Sequence, residues 1–283
     1  MPGLDLWRRH RQTVGLALMA LVVALGCVGL SRWQYHRFEH KHDAKQLVQR
    51  NYGARAVPLA DLMADPDQPF DPADQWRRVQ VTGQYDTAAT TLVRNRPHDD
   101  GDSNPTYGYE VLVPLVLSDG SALLVDRGWV PNGTEGTNPG QEPDVVPAPP
   151  SGTVQVVARL RPSEPHRGQR VPEGQVASID VPQIARSTGL DLYPAYGALV
   201  SEVPPATPAP VLLGKPELDG GEGINASYAV QWLLFAALAL GFPWWFVRRN
   251  RRAAELEERA ADGTTAAPVP VPRRRRIWDD EDE

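Results

Sequence analysis

Cysteine is nearly missing from this chain, with one residue, Cys27, in 283. Because Cys27 falls inside an apolar run, a disulfide framework is excluded even if the protein faces an oxidising compartment. The motifs of ordinary covalent catalysis are missing too. No glycine-rich loop opens a helix to cradle phosphate, no nucleophile elbow is present, and no paired Cys or His cluster has metal-ligand spacing. His98 and His166 stand alone in loop-like sequence. The expectation is a protein that is not an enzyme. A basic excess is also lacking. The formal net charge is −6, and residues 32–224 carry 17 Lys and Arg against 25 Asp and Glu. An acidic balance of that size argues against nucleic acid as a partner.

Long apolar runs, in contrast, are present twice. Residues 228–247 contain no charge and, as a helix, span roughly 30 Å, the thickness of a hydrocarbon core. Residues 14–31 are equally uncharged and reach roughly 27 Å, with Trp33 placed for the interface. A cleaved signal peptide is the alternative for the first run, since "WRRHRQ" precedes it. Its apolar core is longer than usual, however, and no A-x-A-like site follows. Cys27 in "ALGC" raises lipoprotein processing on a poor version of that signal. The run "RRNRR" directly follows the second span, whereas Lys215 is the one basic residue close before it. The positive-inside tendency then puts both termini in the cytoplasm and the intervening residues outside. The expected organisation is a cytoplasmic N-terminus (1–13), a first span (14–31), an extracytoplasmic stalk and domain (32–224), a second span (228–247) and a charged tail (248–283). A multi-pass protein of the cytoplasmic membrane, in contact with lipid, follows from this reading. The tail carries nine Arg against nine Asp or Glu in a Pro/Ala-rich background and reads as largely disordered, with a short helical extension over 249–261.

Between the spans the hydrophobic period changes. "RWQYHRFEHKHDAKQLVQRNY" has no Gly or Pro and predicts a helical stalk. His36 and His40 share a face there, with His42 nearby, a spacing open to metal or to a solvated surface alike. After a short helix near 59–64, "RRVQVTGQY", "TTLVRNR", "YGYEVLVPLVL", "SALLVDRGWV" and "TVQVVARLR" alternate as strands. A short helix at "PQIARSTG" and a strand at "AYGALVSEV" follow, and residues 132–152 form a long loop. The fold class expected is an α+β membrane protein, two transmembrane helices flanking an antiparallel, β-rich, partly closed barrel-like domain.

Strict alternation in "ALLVDRGWVP" puts Leu123, Val125, Arg127 and Trp129 on one face and Leu124 and Asp126 on the other. An arginine sharing a face with Leu and Val needs a partner. Either Arg127 pairs with a strand neighbour such as Glu110, or Arg94, Arg96 or Arg127 meets an anionic ligand with its planar fork. At the mouth of the second span, helical spacing puts Asn225, Tyr228 and Trp232 on one stripe beside Ser227 and Gln231. These polar groups could cap the helix, with Asn225 as N-cap, or form a site at the bilayer boundary.

In order along the chain, "SRWQYHRFEHK", "RRVQVTGQY", "LVRNR", "GYEVLVPLVLSDGSALLVDRGWVP", "RLRPSE" and "SYAVQW" resemble the Surfeit locus protein 1 family of cytochrome c oxidase assembly factors. The resemblance runs to about Arg252. It implies two transmembrane helices around an extracytoplasmic β-rich domain and a role in maturing the haem a subunit of the aa3-type oxidase. The catalytic subunit of that oxidase and the haem a synthesis machinery would be the partners, and haem a a transient cofactor. Asn225, Tyr228 and Trp232, with Arg94, Arg96 and Arg127, are the positions expected to contact it. The chain departs from the family where a His commonly precedes the last span's tyrosine by three residues, a position held here by Asn225. It also lacks the usual Trp before the acid aligned with Asp180. A permanent accessory subunit of the oxidase is the competing reading.

Overall fold

The computed structural model describes residues 2–98, 106–133, 142–216 and 221–261. They fall into two compact units, one built from Met1–His40 with Gly220–Glu283 and the other from Lys41–Asp219. The first unit holds most of helix α1 (Pro2–Asn51) and helix α3 (Glu222–Ala261), both long and apolar enough to cross a membrane. Their contact is made by small side chains. Ala24 and Cys27 of α1 meet Ala236 of α3, with Trp232 and Ala239 alongside, and Ser31 Oγ donates to the Ala229 carbonyl at 2.8 Å. Small residues let two backbones approach closely, which favours association where surrounding lipid is as apolar as the helices themselves. The larger residues Leu18, Val22, Leu25 and Leu238 point outward. The helical extension expected beyond the second span is present, α3 continuing without a break to Ala261. The remaining tail, 262–283, lies outside the described residues.

The second unit is a mixed eight-stranded sheet. Its strands are β1 (Val57–Pro58), β2 (Arg78–Tyr85), β3 (Thr91–His98), β4 (Thr106–Val116), β5 (Ala122–Pro131), β6 (Thr153–Pro162), β7 (Gln175–Val176) and β8 (Leu192–Val203), with helix α2 (Val181–Thr188) between the last two. Their lateral order is β1-β2-β6-β8-β5-β4-β3-β7, and an added pairing of β2 with β4 joins the sheet into a five-strand ring. That closure consists of Gln84 opposite Val116 and Tyr85 opposite Leu115. The period-two runs of the sequence become these strands because alternate residues can be buried inside the ring. Val79, Val81, Leu115, Leu123, Val125, Val154, Val156, Leu160 and Leu199 fill it. A second core lies on the outer side of β4, β5 and β8, where Val93, Leu112, Leu124 and Tyr196 pack under Val181 and Ile184 of α2. That helix starts where Asp180 accepts from the Gln183 amide at 3.1 Å and ends at Gly189 in the left-handed region.

Two expectations are corrected here. The sheet is not purely antiparallel: β1 and β2, β3 and β7, and β5 and β8 run parallel. Parallel neighbours require a long return of the chain, supplied between β5 and β8 by β6 and α2, and alternation within a strand carries no sign of its neighbour's direction. The short helix expected at 59–64 is a 3-10 turn over Leu59–Asp61.

Candidate functional site

Two irregularities flank the middle of β4, and they set the chemistry of the domain. In β3 the register slips between Val93, opposite Glu110, and Arg96, opposite Gly108. The extra residue is accommodated at Asn95, whose φ is 58°. In β5 the register slips so that Asp126 faces Leu112 while Trp129 faces Glu110. Gly128 absorbs that bulge with φ 125°, and any Cβ there would collide with the Val211 carbonyl. A bulge breaks strict alternation and re-aims the following side chains. Arg96 and Trp129 therefore join Glu110 and Asp126 on the outer face, leaving Arg94 and Arg127 on the inner one. Strict alternation wrongly put Arg127 and Trp129 together, because it assumed no extra residue at Gly128.

The outer face holds a half-buried ionic cluster around the buried Asp126. Arg96 Nη2 lies 2.7 and 2.8 Å from the two Glu164 oxygens, and its Nε is 2.7 Å from Glu110 Oε2, a short ion pair not aligned as a hydrogen bond. Glu164 also accepts from the Ile179 amide at 3.0 Å. Trp129 Nε1 donates to the Arg96 carbonyl at 3.0 Å, and His98 stacks on the Trp129 ring with centroids 4.5 Å apart. Asp126 is 1% exposed; its Oδ1 accepts from the Gly128 amide, while Oδ2 is buried with no hydrogen-bond partner among the described residues. Burial above all, with Glu110 adding to it, pushes the Asp126 carboxyl well above the ordinary carboxylate range, against the Gly128 amide, Arg96 and Arg161. Burial likewise raises Glu110, opposed by Arg96. Burial works to discharge Arg96 as well, yet Glu110 and Glu164 more than offset it and hold the guanidinium protonated. Arg96 is thus saturated by protein carboxylates.

On the inner face Arg127 is fully buried. Its partner is Glu202 of β8, at 2.9 Å from Nη2, and not Glu110, which the bulges turn to the other side with Arg96. Arg127 Nη1 donates to the Pro147 carbonyl at 2.8 Å, Tyr85 Oη donates to Glu202 Oε2 at 2.8 Å, and the guanidinium stands 5.5 Å from the Tyr85 ring centroid. Burial and the Glu202 charge raise the Tyr85 phenol far above its usual range. Arg94, also on the inner side, acts on the Tyr109 phenol and is engaged by other groups.

At the head of α3, Asn225 is buried while Tyr228 is 46% exposed. The buried stripe runs through Asn225, Ala229, Trp232, Ala236 and Ala239, so Tyr228 projects beside it and not along it. Asn225 is not an N-cap. The helix already begins at Glu222, and Asn225 Nδ2 donates back to the Gly221 carbonyl at 3.0 Å, as Ser227 Oγ does to Gly223 at 2.9 Å. An amide so placed does not supply an axial nitrogen for haem iron, and α3 contributes no histidine. On the stalk, His36 Nδ1 lies 3.2 Å from Glu39 and His42 Nε2 lies 2.7 Å from Gln46. Among the described residues no three His, Cys, Asp or Glu side chains are placed to hold a metal ion.

The model of the SURF1 family matches residues 21–237, from within α1 through the strand ring and into α3. The chain belongs to the SURF1 family. Uncharacterized SURF1-like proteins of Mycobacterium bovis and of Mycobacterium tuberculosis are each 35% identical to it over 249 residues, covering 84% of this chain and 86% of theirs. A SURF1-like protein of Dictyostelium discoideum is 31% identical over 108 residues, covering 36% of this chain and 37% of its own. The SURF1 family is known in general for cytochrome oxidase assembly factors. The SURF1 match takes in both bulges, the Arg127–Glu202 pair and the Arg96 cluster, all of which fall inside residues 21–237. Sequence reasoning passed over Tyr85, Glu164 and Glu202, and placed Asp126 on the face away from Arg127 without giving it a role. The one available signal was Asp126 itself, an acid next to an arginine within an otherwise apolar strand.

Proposed function

We propose that this chain is a membrane-anchored assembly factor for aa3-type cytochrome c oxidase, assisting delivery or insertion of haem a into the catalytic subunit. The observation that carries this reading is family membership across both helices and the strand ring together. The protein works by binding and positioning, without covalent catalysis. Both helices lie in the cytoplasmic membrane, both termini are cytoplasmic and the strand domain is outside, a reading supported by the "RRNRR" run after the second span under the positive-inside tendency. Haem a is cargo in this scheme. With Asn225 at the family's histidine position, the chain holds it through the Tyr228 and Trp232 side of α3 and through contacts to the propionates of the haem, or passes it at a surface shared with the oxidase. An isoprenoid-bearing porphyrin is most stable at such a boundary because exposing its tail to water costs free energy.

Two measurements test this. Deleting the gene should lower the haem a content of the purified oxidase while leaving its apoprotein synthesis intact. This chain should be absent or substoichiometric in mature oxidase; an equimolar amount would replace the proposal with a permanent accessory subunit. Unchanged haem a in the deletion strain would refute delivery.

A further inference from the structure

On the outer face of β2 and β6, Arg78 and Arg159 have no acid paired to them among the described residues. Arg78 and Arg159 stand directly opposite one another on these strands. Like charges in that arrangement repel. Both residues are half-buried, and the Nε of each is buried without a hydrogen-bond partner. Among the described residues no carboxylate forms an ion pair or hydrogen bond with either guanidinium. Burial and the Arg78 charge lower the Arg159 pKa, and the one group acting the other way is the Tyr52 phenol. The charge of Arg77 acts on the carboxyl of Asp74, four residues before Arg78.

Aromatic rings complete the arrangement. The Arg159 guanidinium lies 3.8 Å from the Tyr52 ring centroid, and Lys215 Nζ approaches the same ring at 5.7 Å. Tyr52 meets Trp76 at 6.1 Å, and Arg161 lies 4.5 Å from Trp76. Trp76 adopts φ 72°, a conformation unfavourable for a bulky side chain. It is held there by its N–H, which donates to the Leu160 carbonyl at 2.8 Å, and by Asn51 Nδ2, which donates to the Ala73 and Gln75 carbonyls at 2.7 and 2.8 Å. Fixed rings and unneutralised guanidiniums are already assembled before any ligand arrives.

We propose that Arg78 and Arg159, with Lys215 at the edge and the Tyr52–Trp76 rings as a shelf, form a binding site for a phosphate group, carried by a phospholipid headgroup or by soluble phosphate. A carboxylate would be matched by one arginine fork. Two forks side by side suit a group with more charge and at least three acceptor oxygens. The test uses the full chain in mild non-ionic detergent at low salt. Its thermal midpoint is followed while inorganic phosphate is added, and separately while phosphatidylglycerol is doped into the micelles, with oleate as an anionic amphiphile lacking phosphate. Binding to the folded state raises the midpoint saturably. Arg78→Gln and Arg159→Gln should each need at least about tenfold more probe for half the rise, as expected on losing a charge-assisted hydrogen bond. Without probe the Arg78→Gln midpoint should equal or exceed that of the unsubstituted protein, since a repulsion has been removed, whereas Arg159→Gln also loses its contact with the Tyr52 ring. A response to inorganic phosphate supports the site with a soluble ligand, and a response to phosphatidylglycerol alone supports it with a lipid headgroup. No response to either overturns it. So does an equal response to oleate, a response unchanged in both variants, or a loss of stability in Arg78→Gln without probe.

Discussion

Replacing Arg127 by Ala removes a guanidinium with no solvent exposure and leaves Glu202, whose side chain is 5% exposed, with the Tyr85 hydroxyl as its remaining donor. The Pro147 carbonyl loses its partner as well. Breaking a buried pair by deleting one member costs about 3–5 kcal/mol, most of it the penalty on the stranded charge. For a domain of this size each kcal/mol corresponds to roughly 2–4 °C, so the apparent midpoint should fall by about 10 °C. Thermal unfolding of the purified full chain, read by circular dichroism, measures this directly. The partner assignment is tested by double substitution. Arg127→Ala with Glu202→Gln should cost clearly less than the sum of the single changes, whereas Arg127→Ala with Glu110→Gln should be additive. An Arg127→Ala protein within about 1 kcal/mol of the original would refute a structural role for the pair. If that stable variant also failed to mature the oxidase, Arg127 would be meeting a ligand after all.

Asp126→Asn should stabilise the protein at neutral pH. Because the folded state holds the Asp126 proton more tightly than the unfolded chain, wild-type stability falls as pH rises upward from about 4; the variant's advantage should therefore shrink as pH is lowered towards 4, and a pH-independent difference would contradict the assignment. Asn225→Ala removes one back-bonded amide and should change stability by no more than about 1 kcal/mol, while Asn225→His should retain more haem a on co-expression with its synthesis. Stoichiometric haem in wild type that is lost in Asn225→Ala would show the amide to be essential for retention. In a Cys27→Ala background, cysteine introduced at Ser118 should react with a membrane-impermeant reagent in intact cells and cysteine introduced at Thr264 should not; labelling at 264 without lysis would reverse the topology.

Much of the strand pattern was legible because burial on one side writes itself as alternation: β2, β5 and β6 follow their quoted runs closely. The partner of Arg127 was not legible. Choosing between Glu110 and Glu202 depends on which face each strand presents, and single residues at Asn95 and Gly128 invert those faces halfway along β3 and β5. The glycine was a visible hint, but its positive φ follows from the approach of the Val211 carbonyl, contributed by a segment more than eighty residues away. Which line of α3 is buried was not legible for a similar reason. Steps of three and four are both compatible with one helix face, and the packing of Ala24 and Cys27 against Ala236 selected the line through Ala229 over the one through Tyr228.

The position of β8 also bears on how the protein must be made. It lies between β5 and β6, and without it the strands β6-β2-β4-β5 would form an open sheet with two unpaired edges. Those edges are complete once residue 162 has been synthesised, yet the strand that joins them spans Leu192–Val203. The nascent domain therefore passes through a stage with two adhesive borders, of the kind that pair with other chains when left exposed. The ring also cannot shut before synthesis has come within about twenty residues of α3, so completion of the domain and arrival of the second long apolar helix are nearly simultaneous events.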